Sequence, residues 1–236
     1  MALPRLNDAP QYELVIPSSG KPAKFRPFLV KEQKVLLIAF ESQDKKQILN
    51  SVLDTIEACC PSIEKHKLTS FDVDYIFTQI RTKAVGESTT IVAKCKCGHE
   101  NDVLVNLDNA ELKNMNEIDV IKITDDISLK MKWPSYYEII NNEIITSNTS
   151  SNTQIIYETI KMSIDSVMTE EELIQIKDET PEEIDTFINS LTTDQFNKIN
   201  EFISNAPTLA YDLKYKCESC GAENKQTLEG IQDFFS

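Results

Sequence analysis

Near the start of the chain Tyr12, Leu14 and Ile16 alternate with Gln11, Glu13 and Val15. That period of two predicts a half-buried strand. Pro17-Ser18-Ser19-Gly20 then supplies turn chemistry ahead of Phe25 and Phe28, so the segment reads as a β-hairpin. After Pro27 the apolar spacing becomes helical. One helix is predicted from Val30 to Ser42. A second runs from Lys45 to Cys60, with Ile48, Leu49, Val52, Leu53 and Ile56 on one face and Pro61 closing it. A third runs from Phe71 to about Ala84, where Phe71, Val73, Tyr75, Ile76 and Ile80 make a wide apolar stripe. Ser70 is placed to cap it, and Gly86 follows its end.

The pattern then turns β-like. Strands are predicted at Thr89–Lys96 and Asp102–Leu107, around a cysteine pair, and at Ile118–Ile123 and Ile127–Trp133, around Asp125-Asp126. The middle of the chain is helical. Ser135 and Glu138 form a capping box before Ile139-Ile140 and Ile144-Ile145; the polar stretch from Asn148 to Asn152 is a loop; Ile155–Ile164 resumes a helix. Thr180-Pro181-Glu182-Glu183 has the order of a helix start, with a cap, Pro at the first position and Glu at the third. Thr192 with Gln195 opens another helix, which ends near Asn205 before Pro207. Thr208–Lys216 and Asn224–Leu228 are strands around a second cysteine pair.

These elements predict an α+β chain with an N-terminal β-hairpin and helices, a helical middle segment, and two distant hairpins joined as a split zinc ribbon. Three regions follow: 1–110 with the first cysteine pair, an inserted 111–206, and 207–236 with the second pair, packing on the first region.

Charge narrows the function classes. With 24 Lys and Arg against 38 Asp and Glu the net charge is −14. Few cations are left over to neutralise phosphates, and the excess of anions repels anionic membranes, so protein partners are favoured. The opening MALPRLNDAPQ lacks the apolar core of a signal peptide, and the run from Val35 to Phe40 is far too short to span a bilayer. The expectation is a soluble protein that stays where it is made. Thiols there are kept reduced, which argues against a disulfide framework for the six cysteines.

Four of those cysteines form an echo. Lys94-Cys95-Lys96-Cys97-Gly98-His99-Glu100-Asn101 resembles Lys216-Cys217-Glu218-Ser219-Cys220-Gly221-Ala222-Glu223-Asn224, and both read Cys-Gly-x-Glu-Asn from the second cysteine. Two thiolates at a hairpin tip, with Gly permitting the tight turn, are the layout of a zinc knuckle, and two knuckles supply four ligands. The predicted ligands are Cys95, Cys97, Cys217 and Cys220, holding a structural Zn²⁺ with no position left for a catalytic water. The first pair is one residue short, which leaves open a site in which His99 replaces a thiolate, and an empty ribbon. Neither pair opens a helix in a βαβ unit, so a redox motif is disfavoured.

Other candidates have plainer readings. Cys59 and Cys60 near His66 suggest a thiol–imidazole dyad, but free cysteines usually fill cores. The acidic groups Glu170-Glu171-Glu172, Asp178-Glu179 and Glu182-Glu183 read as solvated faces and helix starts rather than a metal cluster. Five glycines leave little material for a phosphate loop. Trp133-Pro134-Ser135-Tyr136-Tyr137 and Phe234-Phe235 place aromatics at segment ends, where docking onto a partner or onto the ribbon is the functional reading.

The order Phe28-Leu29-Val30-Lys31-Glu32-Gln33-Lys34, then Phe71-Asp72-Val73-Asp74-Tyr75-Ile76-Phe77 running to Ile80-Arg81-Thr82-Lys83-Ala84-Val85-Gly86-Glu87, then the two knuckles, then Gly230 with Phe234-Phe235, resembles the baseplate hub subunit family of T-even-like contractile-tailed phages. The resemblance spans nearly the whole chain. It implies either a hub component that stays in the virion tail baseplate or a hub assembly factor that leaves, in both cases binding other baseplate hub or tail proteins in the host cytoplasm during assembly. No enzymatic residues, nucleic acid, membrane or small-molecule substrate are implied. Arg81, in an otherwise amphipathic helix, is expected to make a structural ion pair or contact a partner. The reading from another class is a zinc-ribbon accessory protein for nucleic acid or transcription.

Overall fold

The computed structural model describes residues 9–115 and 120–235. In chain order the elements are β1 (Tyr12–Val15), β2 (Pro22–Phe25), α1 (Val30–Ser42), α2 (Lys45–Cys59), α3 (Ser70–Val85), β3 (Ser88–Lys94), β4 (Glu100–Asn106) and β5 (Glu111–Lys113). They continue as β6 (Val120–Lys122), β7 (Ser128–Met131), α4 (Tyr136–Asn141), α5 (Glu143–Thr146), α6 (Asn152–Ser163), β8 (Ile164–Met168) and β9 (Leu173–Gln175). The last are α7 (Pro181–Asn189), α8 (Thr193–Ser204), β10 (Thr208–Lys216), β11 (Glu223–Glu229) and α9 (Gly230–Phe235). The protein is thus a mixed α and β chain with several small sheets.

The backbone divides into two compact units, one made of the residues up to Lys113 together with those from Thr208 onward, the other of Asn114–Pro207. The boundary therefore falls three residues later than the sequence suggests on the first side. Its cause is β5, which pairs with the start of β10, Leu112 opposite Leu209, and so belongs with the outer segments.

In the first unit β1 and β2 form the predicted hairpin, with Tyr12 opposite Phe25. α1 packs on α2 and α2 on α3. Asp44 caps α2 by accepting from the Gln47 amide. The cap of α3 is Thr69 rather than the expected Ser70. Asp72 explains the shift: one carboxylate oxygen accepts from the Thr69 amide and hydroxyl, and the other from the Ser18 amide in the hairpin turn. This fully buried carboxylate therefore fixes the start of α3 and the β1–β2 turn together. At the other end of the helix Arg81 donates to the carbonyls of Gly86 and Ser88, tying α3 to β3.

A second buried polar joint holds α1. Arg26 reaches Glu32 at 2.8 Å and also donates to the carbonyls of Pro27 and Ala58. Burial alone would raise the Glu32 carboxyl, but bonds from Arg26 and the Leu29 amide overcome it and hold the group below the usual carboxylate range.

The second unit is a four-stranded antiparallel sheet in the order β6-β7-β8-β9, carrying helices. Its core gathers Leu129, Met131, Ile160, Ile164, Val167, Ile188 and Ile199. Capping boxes occur where predicted, at Ser135, Thr180 and Thr192, and also at Ser151. The expected helix through Ile164 ends at Ser163, because Ile164 begins β8, an interior strand with neighbours on both sides. Ile118, the first residue of one predicted strand, lies outside the described residues.

Candidate metal centre

The site is built from two hairpins, β3–β4 and β10–β11, each bearing a knuckle at its tip. Ser88 to Lys94 pair with Asn106 to Glu100, and Ala210 to Lys216 pair with Glu229 to Glu223. Their inward residues Ile91, Ala93, Val105, Leu107, Leu209, Leu213 and Leu228 share one core cluster with Phe234. That burial brings the two hairpins together.

At each tip the chain turns the same way. The Cys95 amide donates to the His99 carbonyl and the Cys217 amide to Ala222, both at 2.9 Å. The Gly98 amide returns to the Cys95 carbonyl, and Gly221 to Cys217. Gly98 and Gly221 have φ of 88° and 72°, which a side chain would strain. Asn101 and Asn224 repeat a further contact, each donating to the carbonyl of the residue two before it. The sequence echo is therefore a repeated knuckle, and the missing residue of Cys-x-Cys only tightens the first turn.

The symmetry is broken at Asn101. It is buried, donates also to the Ala93 carbonyl, and accepts from the Glu218 amide at 2.9 Å. One side chain thus clamps the first knuckle to the second. Asn101 was quoted in the echo, but its bridging role depends on two segments far apart in sequence.

Cys95, Cys97, Cys217 and Cys220 converge, with all four sulfurs within 4.8 Å of one another. Cys95 and Cys220 are 3.8 Å apart, and Cys97 and Cys217 3.7 Å. None is in a disulfide. A regular tetrahedron of thiolates around zinc, with bonds of about 2.3 Å, has edges of about 3.8 Å. The spacing therefore fits a four-thiolate metal site. Cys95 and Cys217 are buried, while Cys97 and Cys220 are exposed. His99 is exposed and is not among the converging side chains.

The electrostatics favour thiolates at the two inner positions. The Cys220 amide, opposed by burial and aided by the Ser219 amide, brings the Cys217 thiol down to about 6. The Cys97 amide likewise lowers Cys95. Cys97 is aided by the His99 amide, yet its sulfur neighbours Cys220 and Cys95 outweigh that and push it up to about 11. Adjacent thiolates repel, and a bound cation removes that repulsion.

The other candidates disperse. Cys59 and Cys60 are fully buried, and burial pushes their thiols up to about 11 and about 12, the opposite of an activated nucleophile. His66 is exposed. Among the described residues the acidic groups at 170–172, 178–179 and 182–183 form no convergent cluster, and the Glu183 carboxylate accepts from the amide and hydroxyl of Thr180, the cap of α7. Trp133 stacks on Phe202 with ring centroids 4.3 Å apart, and Tyr136 is buried. Phe234 packs into the core shared by the two hairpins, the second of the two readings given for it, docking onto the ribbon; the Phe235 side chain lies outside the described residues. Among the described residues no helix is long and apolar enough to cross a membrane.

The family model described as T4 bacteriophage base plate protein matches residues 9–236. The chain belongs to this family. No curated protein and no solved structure gives a match. As a member of a baseplate family, the protein is a phage baseplate component, which places its partners among other tail or baseplate proteins.

Proposed function

We propose that this baseplate protein is a component of the hub, or a factor that assembles it, acting by binding other hub or tail proteins and holding one structural zinc ion. The convergence of four cysteine sulfurs from segments more than 100 residues apart carries the reading. A metal there closes a very long loop and ties the C-terminal hairpin to the first half of the chain, which restricts the unfolded state. Cys95, Cys97, Cys217 and Cys220 are its ligands. Four thiolates leave no position for a water or substrate, which supports a scaffold rather than an enzyme. The hub assignment is supported by the stretch from Phe71 to Glu87. Its polar residues do architectural work, Asp72 at the hairpin turn and Arg81 at the start of β3. The protein acts in the host cytoplasm during assembly.

Quantitative mass spectrometry of purified virions and of hub assembly intermediates tests the role. A fixed copy number in virions makes the protein a subunit; presence in intermediates alone makes it an assembly factor. Absence from both overturns the hub reading. Elemental analysis of protein purified without added metal is expected to give one zinc per chain.

A further inference from the structure

α1 has apolar residues on both of its sides. The core side is Leu36 and Ala39, with the paired Glu32. The opposite side carries Val30, Leu37 and Ile38, which are 79%, 56% and 55% exposed. Together with Lys34 and Glu41 they occupy positions i, i+4, i+7, i+8 and i+11, a stripe about 100° wide on a helix of 3.6 residues per turn. A helix that is apolar all round is normally covered all round. Here α1 packs on α2, and this outer stripe is left to solvent.

The stripe is complementary to itself. Ion pairs in this region join Glu32 to Arg26 and Lys31; Lys34 and Glu41, among the described residues, are exposed on either side of Leu37 and Ile38, the part of the stripe that matches itself, with Val30 lying beyond it. Two such helices laid antiparallel about a two-fold axis between positions 37 and 38 place Leu37 against Ile38 of the other copy. The same axis places Lys34 against Glu41, twice. A two-fold interface requires this kind of self-matching surface, and an ion pair repeated by symmetry fixes its register. We infer that α1 is a homodimer interface, packing antiparallel against α1 of a second copy of this chain. The helix is short, so the contact is modest and the dimer dissociates on dilution.

Sedimentation equilibrium of the full chain, purified with its native metal, tests this over a range of micromolar concentrations. A monomer–dimer equilibrium is expected. Leu37→Glu should leave monomer only, with Trp133 emission and metal content unchanged, since the residue is exposed. Lys34→Glu should weaken dimerisation about tenfold by opposing Glu41. Adding Glu41→Lys to that variant should restore it, because the exchanged pair is again of opposite sign. A wild-type chain that stays monomeric overturns the inference, as does a dimer indifferent to Leu37→Glu, or a double exchange that fails to restore association. Lysines beside an apolar stripe also suit an anionic bilayer surface. Monomeric protein that co-sediments with phosphatidylglycerol vesicles through Leu37 overturns the dimer in favour of that surface.

Discussion

The two units solve the problem of stability with different residues. All six cysteines and all five glycines of the chain lie in the first unit, and the 94 residues from Asn114 to Pro207 contain neither. Those same residues carry 18 acidic against 6 basic side chains, so nearly all of the net charge of −14 resides there. The second unit is continuous in sequence. Its neighbouring elements pack on one another, and each helix start has its own polar cap. The first unit is discontinuous, with its last two strands arriving about 100 residues after the partners they pack against. A chain that must close so long a loop gains most from a cross-link. That is where the buried polar joints of Asp72, Glu32 and Asn101 lie, along with the cysteine cluster.

The largest effect should come from Cys217→Ser. Elemental analysis should show metal lost from the first unit, with a thermal transition lowered by more than about 10 °C if the ion supplies several kcal/mol. The single tryptophan, Trp133, reports on the second unit, and its emission should stay native at moderate temperature. Metal loss without any change in melting would show that the cross-link is dispensable and erase the contrast between the units. Leu129→Ala is the converse. Leu129 is fully buried, and its truncation should cost about 3 kcal/mol, read as an earlier loss of Trp133 emission while metal content is kept.

A smaller effect belongs to Asp74. Burial pushes its carboxyl up to about 6, against a weak bond from the Ile231 amide at the start of α9. A carboxyl raised in the folded state binds more protons than the unfolded chain between about 4 and about 6. Stability is therefore lost as pH rises through that window and regained as it falls. Asp74→Asn should remove this dependence and raise stability at pH 7 by about 1 to 2 kcal/mol, measured by urea titration at pH 5 and pH 7. Equal stability of the wild type at both pH values would show that the carboxylate is not penalised. The smallest change is expected from Thr180→Ala, which removes the cap of α7 and should cost about 1 kcal/mol, confined to the Trp133 transition.

Much of this was legible from residue order. α1 begins and ends where the spacing from Val30 to Ser42 placed it, and Pro61 and Gly86 follow the helices they were expected to close. The capping boxes at Ser135, Thr180 and Thr192 form as read, because a cap is a contact between residues three apart. The cysteine echo pointed to the residues that converge, since knuckle chemistry is carried by a few adjacent positions. What escaped were β5, β8, β9 and α9. Glu111–Lys113 and Leu173–Gln175 are only three residues long, too short for any period, and become strands through the neighbours they pair with. Ile164–Met168 continues a helical pattern and becomes a strand because β7 and β9 lie on either side of it.

The sequence by itself determined where most helices start, which cysteines converge and how the charge is distributed, because each depends on residues close along the chain. Only the tertiary structure decided that Asn101 clamps the second knuckle, that Asp72 anchors the β1–β2 turn, that Phe234 is a core plug and that the outer stripe of α1 is left bare. Each of those depends on burial and on contacts between segments far apart in sequence, which local patterning does not encode.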